Sequence, residues 1–368
     1  VVSKIADVRS AQQKLNRLSA GRQVYAAHFV SDPQDTWLLR RGDPMQRLEV
    51  VPPSVPAVLQ RLVESQDTTQ ARVNSVQPAA IPTALKAATE SARRLKLAHH
   101  VTRPEHPLTA RVIVNRIWQS HFGTGLVDTP SDFGRMGSKP THPQLLDWLA
   151  ADFVEHGWSL KRLHRQIVLS QTFQQSSQPA PEALRVDADS RLLWRFPPRR
   201  MSAEAIRDTM LSVSGKLNLK TGGPGFNFFN QRGGLSDYVP KETFDENGWR
   251  RMIYAHRIRM QAVDIFGTFD CPDAGQMTPK RTRSITPLQS LSLLNSPFAN
   301  RQAGFLAERA TSDAGADAND QIDRVFLLAY SRPATDEERQ YMKQLADTHG
   351  LHQVCRVIFS TSEFLFLQ

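Results

Sequence analysis

The sequence predicts a mainly α-helical protein, a multi-helix domain of orthogonal or bundle-like architecture with a minor β-hairpin or small sheet. Apolar residues recur at helical spacing along much of the chain, with Pro, Ser or Thr where helices would begin and Gly where they would end. Alternating, β-rich patterns are confined to short stretches. We expect an N-terminal lead-in over residues 1–80, which would pack on the main domain, and a helical domain over residues 81–368.

The lead-in is predicted to contain a polar helix over residues 4–20, followed by a β-hairpin. Strands over 23–30 and 36–40 would flank a turn at residues 31–33, whose sequence Ser-Asp-Pro suits a turn. Residues 51–56 contain three prolines and are predicted to be extended, because proline is excluded from helix interiors.

The main domain is predicted to be a succession of helices. In chain order they begin at Pro82, Pro107, Pro143, Ser159, Ser202 and Pro287 and continue over residues 297–311, 320–330, 335–348 and 351–366. Gly123 and Gly157 end two of them, and a loop over 123–141 joins the first of these to the next. The alternation from Arg251 to Ile258 predicts a strand. Residues 218–248, rich in Gly, Asn and Phe, are predicted to form a long loop, and long loops in compact domains are often functional.

The charge of the chain is strongly positive. Lys and Arg total 46 against 36 Asp and Glu, a net charge of +10. Most of the cations are arginines, whose planar guanidinium groups match sulfate, phosphate and carboxylate groups bidentately, so an acidic polymer is a reasonable partner. A solvated, arginine-rich surface without a specific ligand explains the same composition. The densest clusters are Arg199-Arg200, Arg250-Arg251 with Arg257 and Arg259, and Lys280-Arg281-Arg283.

Several classes of protein are excluded or disfavoured. Aromatic residues do not interleave with the basic clusters, so nucleic-acid binding is not supported. No run of 18 apolar residues occurs that could span a membrane. The two cysteines, Cys271 and Cys355, are too few for a disulfide scaffold or a Cys-rich zinc module, and whether they pair is open. Residues 1–10 lack the apolar core of a signal peptide, and the absence of an initial Met indicates a piece of a longer protein.

The usual signatures of catalysis are missing. Residues 132–134 read Asp-Phe-Gly, as in kinases, but no other kinase motif accompanies them. The glycines at 222–225 are not followed by the Gly-Lys-Ser/Thr of a phosphate-binding loop, and no nucleophile elbow occurs. No metal site is predicted, because the histidines and carboxylates of residues 121–164 lack a metal-binding spacing.

Two groups of side chains stay open to a structural or a functional interpretation. Four of the residues between 128 and 164, Asp132, His142, Asp147 and His164, are candidates for acid–base chemistry if they converge in a pocket. Six charged residues lie in otherwise apolar helical segments, where they would form a buried ion-pair network or the floor of a site. These six are Arg116, Asp147, Lys161, Glu204, Arg207 and Asp208.

Longer motifs between residues 115 and 338 resemble those of a known family. They include Asn-Arg-Ile-Trp at 115–118, Phe-Gly-Thr-Gly-Leu-Val-Asp-Thr-Pro-Ser-Asp-Phe-Gly at 122–134, Thr-His-Pro-Gln-Leu-Leu-Asp-Trp-Leu-Ala at 141–150, Gly-Trp-Ser-Leu-Lys at 157–161, Ser-Ala-Glu-Ala-Ile-Arg-Asp at 202–208, Trp-Arg-Arg-Met-Ile-Tyr at 249–254, Thr-Pro-Leu-Gln at 286–289 and Ser-Arg-Pro-Ala-Thr-Asp-Glu-Glu at 331–338. Together they resemble the PSD1 domain, also called DUF1553, a domain of unknown function typical of planctomycetes. The resemblance covers about residues 80–368.

The resemblance implies a setting more than a mechanism. Such domains lie at the C-terminal end of exported proteins, behind a cytochrome c domain and a second conserved domain. It therefore implies an extracytoplasmic location and the other domains of the parent protein as partners. It also implies that haem, which needs a CxxCH motif absent here, sits on a separate domain, so no cofactor is expected in this chain.

From these observations we expect a non-catalytic interaction or scaffolding module that binds an acidic polysaccharide or protein. The sequence leaves open whether the protein is an enzyme, and the alternative is a carbohydrate-active, hydrolase-like enzyme that uses the Asp/His cluster around 132–164. The expected binding residues are Arg116, Lys161, Arg200, Arg207, Arg250, Arg251, Arg281 and Arg283.

Overall fold

The structure is a computed structural model and confirms a mainly α-helical protein with small two-stranded sheets. It describes residues 10–13, 28–54, 89–231, 238–241, 244–256, 267–272 and 275–367. Contacts divide the chain into two compact units, Val1–Ala110 and Arg111–Gln368. The predicted boundary at residue 80 lies outside the described residues and stays a prediction.

The first unit contains a β-hairpin in which the strand predicted over 36–40 is confirmed and its predicted partner is not. Strand β1 (Thr36–Leu39) pairs antiparallel with the strand that follows it, β2 (Arg47–Val51). The prediction that residues 23–30 supply the partner strand is wrong for its described part, residues 28–30. The backbone of Val30 instead exchanges hydrogen bonds with Glu90 at the start of helix α1 (Glu90–Val101), at 3.0 and 3.2 Å.

Helix α1 begins after Thr89, whose hydroxyl accepts a hydrogen bond from a backbone N–H in the first turn. The predicted helix start at Pro82 lies outside the described residues. Residues 10–13 are helical, as predicted, and the rest of the predicted N-terminal helix lies outside the described residues.

The second unit begins with a group of helices that includes an αα-hairpin, two antiparallel helices joined by a short turn. Helix α2 (Thr109–Phe122) leads into the predicted loop over 123–141. Helices α3 (Pro143–Glu155) and α4 (Leu160–Val168) form the hairpin, and Ser159 caps α4 as predicted. Two short helices follow, α5 (Gln171–Gln174) and α6 (Pro181–Val186).

Helix α7 (Ala203–Val213) follows strand β3 (Arg199–Arg200) and is capped by Ser202, as predicted. Residues 218–248, predicted to be an unstructured loop, are partly ordered, which corrects that prediction. Short strands in this region pair through their backbones, although the sequence has no apolar periodicity there. Strand β4 (Phe226–Asn227) pairs in parallel with β7 (Ala255–His256), and β5 (Phe229–Gln231) pairs antiparallel with β6 (Tyr238–Pro240).

Two 3₁₀ turns, Glu246–Trp249 and Met252–Tyr254, separate β6 from β7. The strand predicted over 251–258 is therefore correct only at Ala255–His256, and residues 257–258 lie outside the described residues.

The C-terminal helices form the main core. They are α8 (Pro287–Asn295), α9 (Pro297–Ala314), α10 (Ala318–Tyr330), α11 (Asp336–His349), α12 (Leu351–Ser360) and α13 (Ser362–Leu365). Helix α9 packs against α10 and α12, and α11 packs against α12. Leu306, Ile322, Val354 and Ile358 in this core are fully buried, and each such side chain stabilises the fold by about 1.5–3 kcal/mol.

A short strand near residue 366 pairs with a strand from the middle of the chain. Strand β8 (Phe366–Leu367) pairs antiparallel with β3, so that Arg199 lies opposite Leu367 and Arg200 opposite Phe366. The single helix predicted over 351–366 is interrupted at Thr361, which caps α13. Cys271 and Cys355 are not joined by a disulfide. No described helix is long and apolar enough to cross a membrane.

Candidate functional site

A group of five cationic side chains lies around strand β3 and the segment that precedes α8, and we call it the basic surface. Its members are Arg199, Arg200, Lys280, Arg281 and Arg283. The pairing of β3 with β8 positions the backbone of Arg199 and Arg200. Three ion pairs hold the side chains of Arg200, Lys280 and Arg281. Three members, Arg200, Arg281 and Arg283, are among the binding residues predicted from the sequence.

Three of the cations are held by carboxylates. Arg200 donates to Asp270 at 2.7 Å, and the same carboxylate accepts from the backbone and hydroxyl of Ser284. Lys280 contacts Asp128 at 2.6 Å. Arg281 contacts Glu204 at 2.7 Å. These contacts anchor the segment over 280–284 against the helical unit and neutralise the cations that make them.

Glu204, in the first turn of α7, shows how strong one of these contacts is. Burial of its carboxyl group favours the neutral acid, but the hydrogen bond from Arg281 outweighs it together with smaller contributions and lowers the pKa of Glu204 to about 2. Glu204 is therefore a permanent anion at physiological pH, and Arg281 serves mainly as its counter-ion.

The other two arginines, Arg199 and Arg283, have no carboxylate partner among the described residues. They flank the same glycine: a Cβ on Gly123 would lie 3.1 Å from Nη1 of Arg283 and 3.4 Å from Cδ of Arg199. Arg199 donates from Nη1 to the backbone oxygen of Ser120 at 2.6 Å, and its Nε has no partner. Gly123, at φ +85°, ends α2 where a side chain would be strained.

Burial and neighbouring positive charges lower the pKa of both arginines. Burial and the nearby charge of Arg283 lower the pKa of Arg199 to about 10. Burial and the charges of Arg200 and Arg281 lower the pKa of Arg283 as well. Arg199 and Arg283 therefore place two like charges close together, with no carboxylate partner for either among the described residues.

Two histidines lie beside this pair. Nε2 of His121, in the last turn of α2, is 2.7 Å from Nδ1 of His164 on α4. Burial first, and then the charges of His164 and Arg199, lower the pKa of His121. The imidazole of His121 therefore stays neutral to a lower pH than an ordinary histidine, and the two rings share one hydrogen bond beside Arg199.

The four residues expected to carry acid–base chemistry have separate partners. Asp132 accepts a hydrogen bond from the backbone of Gly134 at 2.9 Å, and Asp147 pairs with Arg111 at 2.6 Å. His142 contacts the hydroxyl of its neighbour Thr141 at 3.0 Å, and His164 contacts His121. No contact within the described part of the chain joins two of the four, and there no group of three or more His, Cys, Asp or Glu residues is arranged to hold a metal ion.

Two of the predicted binding residues, Arg207 and Arg250, are buried and belong to the scaffold, so their assignment to an exposed binding face is wrong. Arg207 is 1% exposed and donates to the backbone oxygens of Arg250 and Gly248. Arg250 is 6% exposed and donates to three backbone oxygens of the loop over 220–224. Arg200, at 4% exposed, is equally buried and cannot present its guanidinium to a polymer.

The buried environment of Arg207 is built from aromatic rings. Four of them, Phe226, Phe228, Phe244 and Phe298, lie 5.2–5.7 Å from its guanidinium carbon, within the range of cation–π attraction. The positive charge is retained because ring faces and backbone oxygens replace the water it loses.

The remaining predicted residues lie at the surface. Arg116 and Lys161 are exposed, and Arg251 is exposed and faces Asp208 at 3.7 Å. Of the six charged residues expected in a buried network or at the floor of a site, only Arg207 is buried, and it lies 3.6 Å from the half-buried Asp208, its neighbour in the chain. Glu204 pairs with Arg281, and Arg116, Asp147 and Lys161 are exposed, so the six form no buried network.

Sequence reasoning missed Arg199 and Lys280 as members of the basic surface. The sequence could have indicated Arg199, because adjacent residues of a strand face opposite sides of it. The pair Arg199-Arg200 therefore places one side chain inward and the other outward.

The comparison with protein families confirms the resemblance. The family model PSD1, described as a protein of unknown function (DUF1553), matches residues 93–346. The chain therefore belongs to the PSD1 family, and the matched range includes the basic surface and helices α2 to α10. Neither the curated proteins nor the solved structures contained a match to the chain.

Proposed function

We propose that residues 111–368 form a non-catalytic interaction module that binds an acidic polymer through the basic surface. The observation that carries the proposal is the pair Arg199 and Arg283, two neighbouring guanidinium groups without a carboxylate partner in the described structure. A sulfate or carboxylate group between them would relieve their repulsion and fill their free donors. Arg199 is half-buried and its buried Nε has no partner, and the exposed Arg283 beside it leaves room for a ligand, so this arrangement favours an anion.

An acidic polysaccharide fits this geometry better than duplex DNA does. Duplex DNA would need a continuous exposed row of cations, but Arg200 and Arg250, one in each of two basic clusters, are buried. A compact pair of arginines suits single sulfate or carboxylate groups that repeat along a polysaccharide. In this proposal the module works outside the cytoplasm as part of a larger protein, together with that protein's other domains, and haem is carried by one of them.

The experiment compares the wild-type chain with the double variant Arg199→Gln, Arg283→Gln. Binding to dextran sulfate, polygalacturonate, neutral dextran and duplex DNA is measured by interferometry across a salt series. We expect binding to one acidic polysaccharide that falls as salt rises, and a loss of at least tenfold in the variant, because hydrogen bonds to charged groups contribute about 1.5–3 kcal/mol each.

A matched control removes the same charge elsewhere. Arg135 and Arg185 are exposed and lie outside the basic surface, so the double variant Arg135→Gln, Arg185→Gln should lose less than about threefold. Equal losses in the two double variants would show that only net charge matters and would refute the site. Equally weak binding to every polyanion, DNA included, would refute the proposed function.

A further inference from the structure

A cleft of about 780 Å³ opens in the second unit between the loop over 220–227 and residues 244–250. Its volume falls within the range of small-molecule binding sites. None of the residues that line the cleft belongs to the basic surface, and two of them are lysines, Lys220 and Lys241. We call it the loop cleft.

Arg250 holds the wall of the loop cleft in place. Its guanidinium donates to the backbone oxygens of Lys220, Gly222 and Pro224 at 2.6–3.0 Å and lies 3.8 Å from the ring centre of Tyr254. The hydroxyl of Tyr254 accepts a hydrogen bond from the backbone of Gly222. Three carbonyl groups of one short loop thus converge on a single buried cation.

Three backbone amides of the same loop stay free. The N–H groups of Thr221, Gly223 and Gly225 have no hydrogen-bond partner among the described residues, and all three residues line the cleft. They alternate with Gly222, whose N–H donates to the hydroxyl of Tyr254, and with Pro224, which has no N–H. Gly222 and Gly223 both have φ near +73°, a left-handed conformation that only glycine adopts at low cost. Free amides in a turn of this kind are donors for an anion.

The side chains of the cleft add positive charge and neutral polar groups. Lys220 and Lys241 make no ion pair with a described residue, and both line the cleft. One carboxylate, that of Asp245, lines it too, but it accepts a hydrogen bond from the backbone of Gly248 at 3.1 Å. Asn227 and Asn247 supply amide groups that can bind hydroxyls.

We infer that the loop cleft binds a monosaccharide-sized anion, a sugar that carries one carboxylate or phosphate group. The acid group would lie against the free amides of the loop and the two lysines, and the sugar hydroxyls against Asn227 and Asn247. The pocket volume accommodates one or two sugar rings, and the lining is too polar for an apolar ligand. The inference does not depend on the basic surface.

The test uses the whole chain and isothermal titration calorimetry with galacturonate, glucose 6-phosphate, galactose and inorganic phosphate. We expect one of the two acidic sugars to bind with Kd below about 1 mM and galactose to bind at least tenfold more weakly. The double variant Lys220→Gln, Lys241→Gln should lose at least tenfold in affinity. Lys139→Gln, which removes an exposed charge outside the cleft, should bind as the wild type does.

Several results would overturn the inference. These are no binding of either acidic sugar, equal binding of galactose, binding of inorganic phosphate as tight as that of the acidic sugar, or the same loss in Lys139→Gln. The variant Arg199→Gln, Arg283→Gln should leave binding of the acidic sugar unchanged, so failure here and failure of the proposed function are distinguishable. Unchanged thermal unfolding of the lysine variants checks that both side chains act on the ligand and not on the fold.

Discussion

The buried arginine at the centre of the second unit gives the sharpest prediction of stability. Replacing Arg207 by Met keeps a long side chain of similar reach among four phenylalanine rings but removes every donor. The backbone oxygens of Arg250 and Gly248 then lose their charged partner inside the protein. The charge interaction with Asp208, at 3.6 Å, is lost as well.

The magnitude follows from these contacts. Each hydrogen bond from a charged donor contributes about 1.5–3 kcal/mol, and a buried acceptor left without a partner costs a similar amount. Relief from burying the guanidinium, whose pKa burial lowers to about 10 even with Asp208 nearby, offsets part of the loss. We expect Arg207→Met to lower the free energy of unfolding by about 2–4 kcal/mol.

Urea unfolding followed by circular dichroism measures the change, with the slope of the transition checked for each variant. Arg251→Gln removes the next charge along the chain from a side chain that is 61% exposed and should change stability by less than about 1 kcal/mol. An Arg207→Met protein as stable as the wild type would show that aromatic packing alone maintains this region. The reasoning about its carbonyl partners would then be refuted.

The remaining predictions concern acid stability and the family motif. Arg332 lowers the pKa of Glu338 from 4.5 to about 2, so the stability that this carboxylate contributes is present above pH 4.5 and lost as pH falls towards 2. Glu338→Gln should lower Tm at pH 7 and flatten its decline over that window, and a parallel decline in both proteins would contradict this. Asn115, fully buried, exchanges two hydrogen bonds with the backbone of Val127 at 2.8 and 2.9 Å. Asn115→Ala should cost about 2–4 kcal/mol in urea unfolding, whereas a cost below 1 kcal/mol would mean that the loop does not need this anchor.

Much of the fold could be predicted because helix boundaries are chemical signals. Pro143, Ser159, Ser202 and Pro287 mark helix starts in the sequence, and each stands at a helix start in the structure. The short strands β4, β5 and β6 over 226–240 could not be predicted, because two or three residues carry no periodicity and their partners are set by tertiary packing.

The candidate site was only partly accessible to sequence reasoning. The position of Arg207 in an apolar helical segment indicated burial, but no local pattern separates the buried Arg250 from the exposed Arg281, because both lie in basic clusters of the sequence. The proposed binding pair, Arg199 and Arg283, comes together because two segments far apart in the chain both contact Gly123. Contacts between distant segments leave no local pattern in the sequence from which they could be predicted.

The pairing of β3 with β8 has a consequence for synthesis of the protein. Arg199 and Arg200 leave the ribosome long before their partners Leu367 and Phe366. The helices α2 to α6 can compact early from local contacts, but the strand that carries the two arginines stays unpaired until residues 366 and 367 have been made. Closing so long a loop has a large entropic cost, and pairings between residues so distant in sequence form slowly and leave strand edges exposed meanwhile. The backbone that positions Arg199 is therefore completed only after the helices between β3 and β8 have been synthesised.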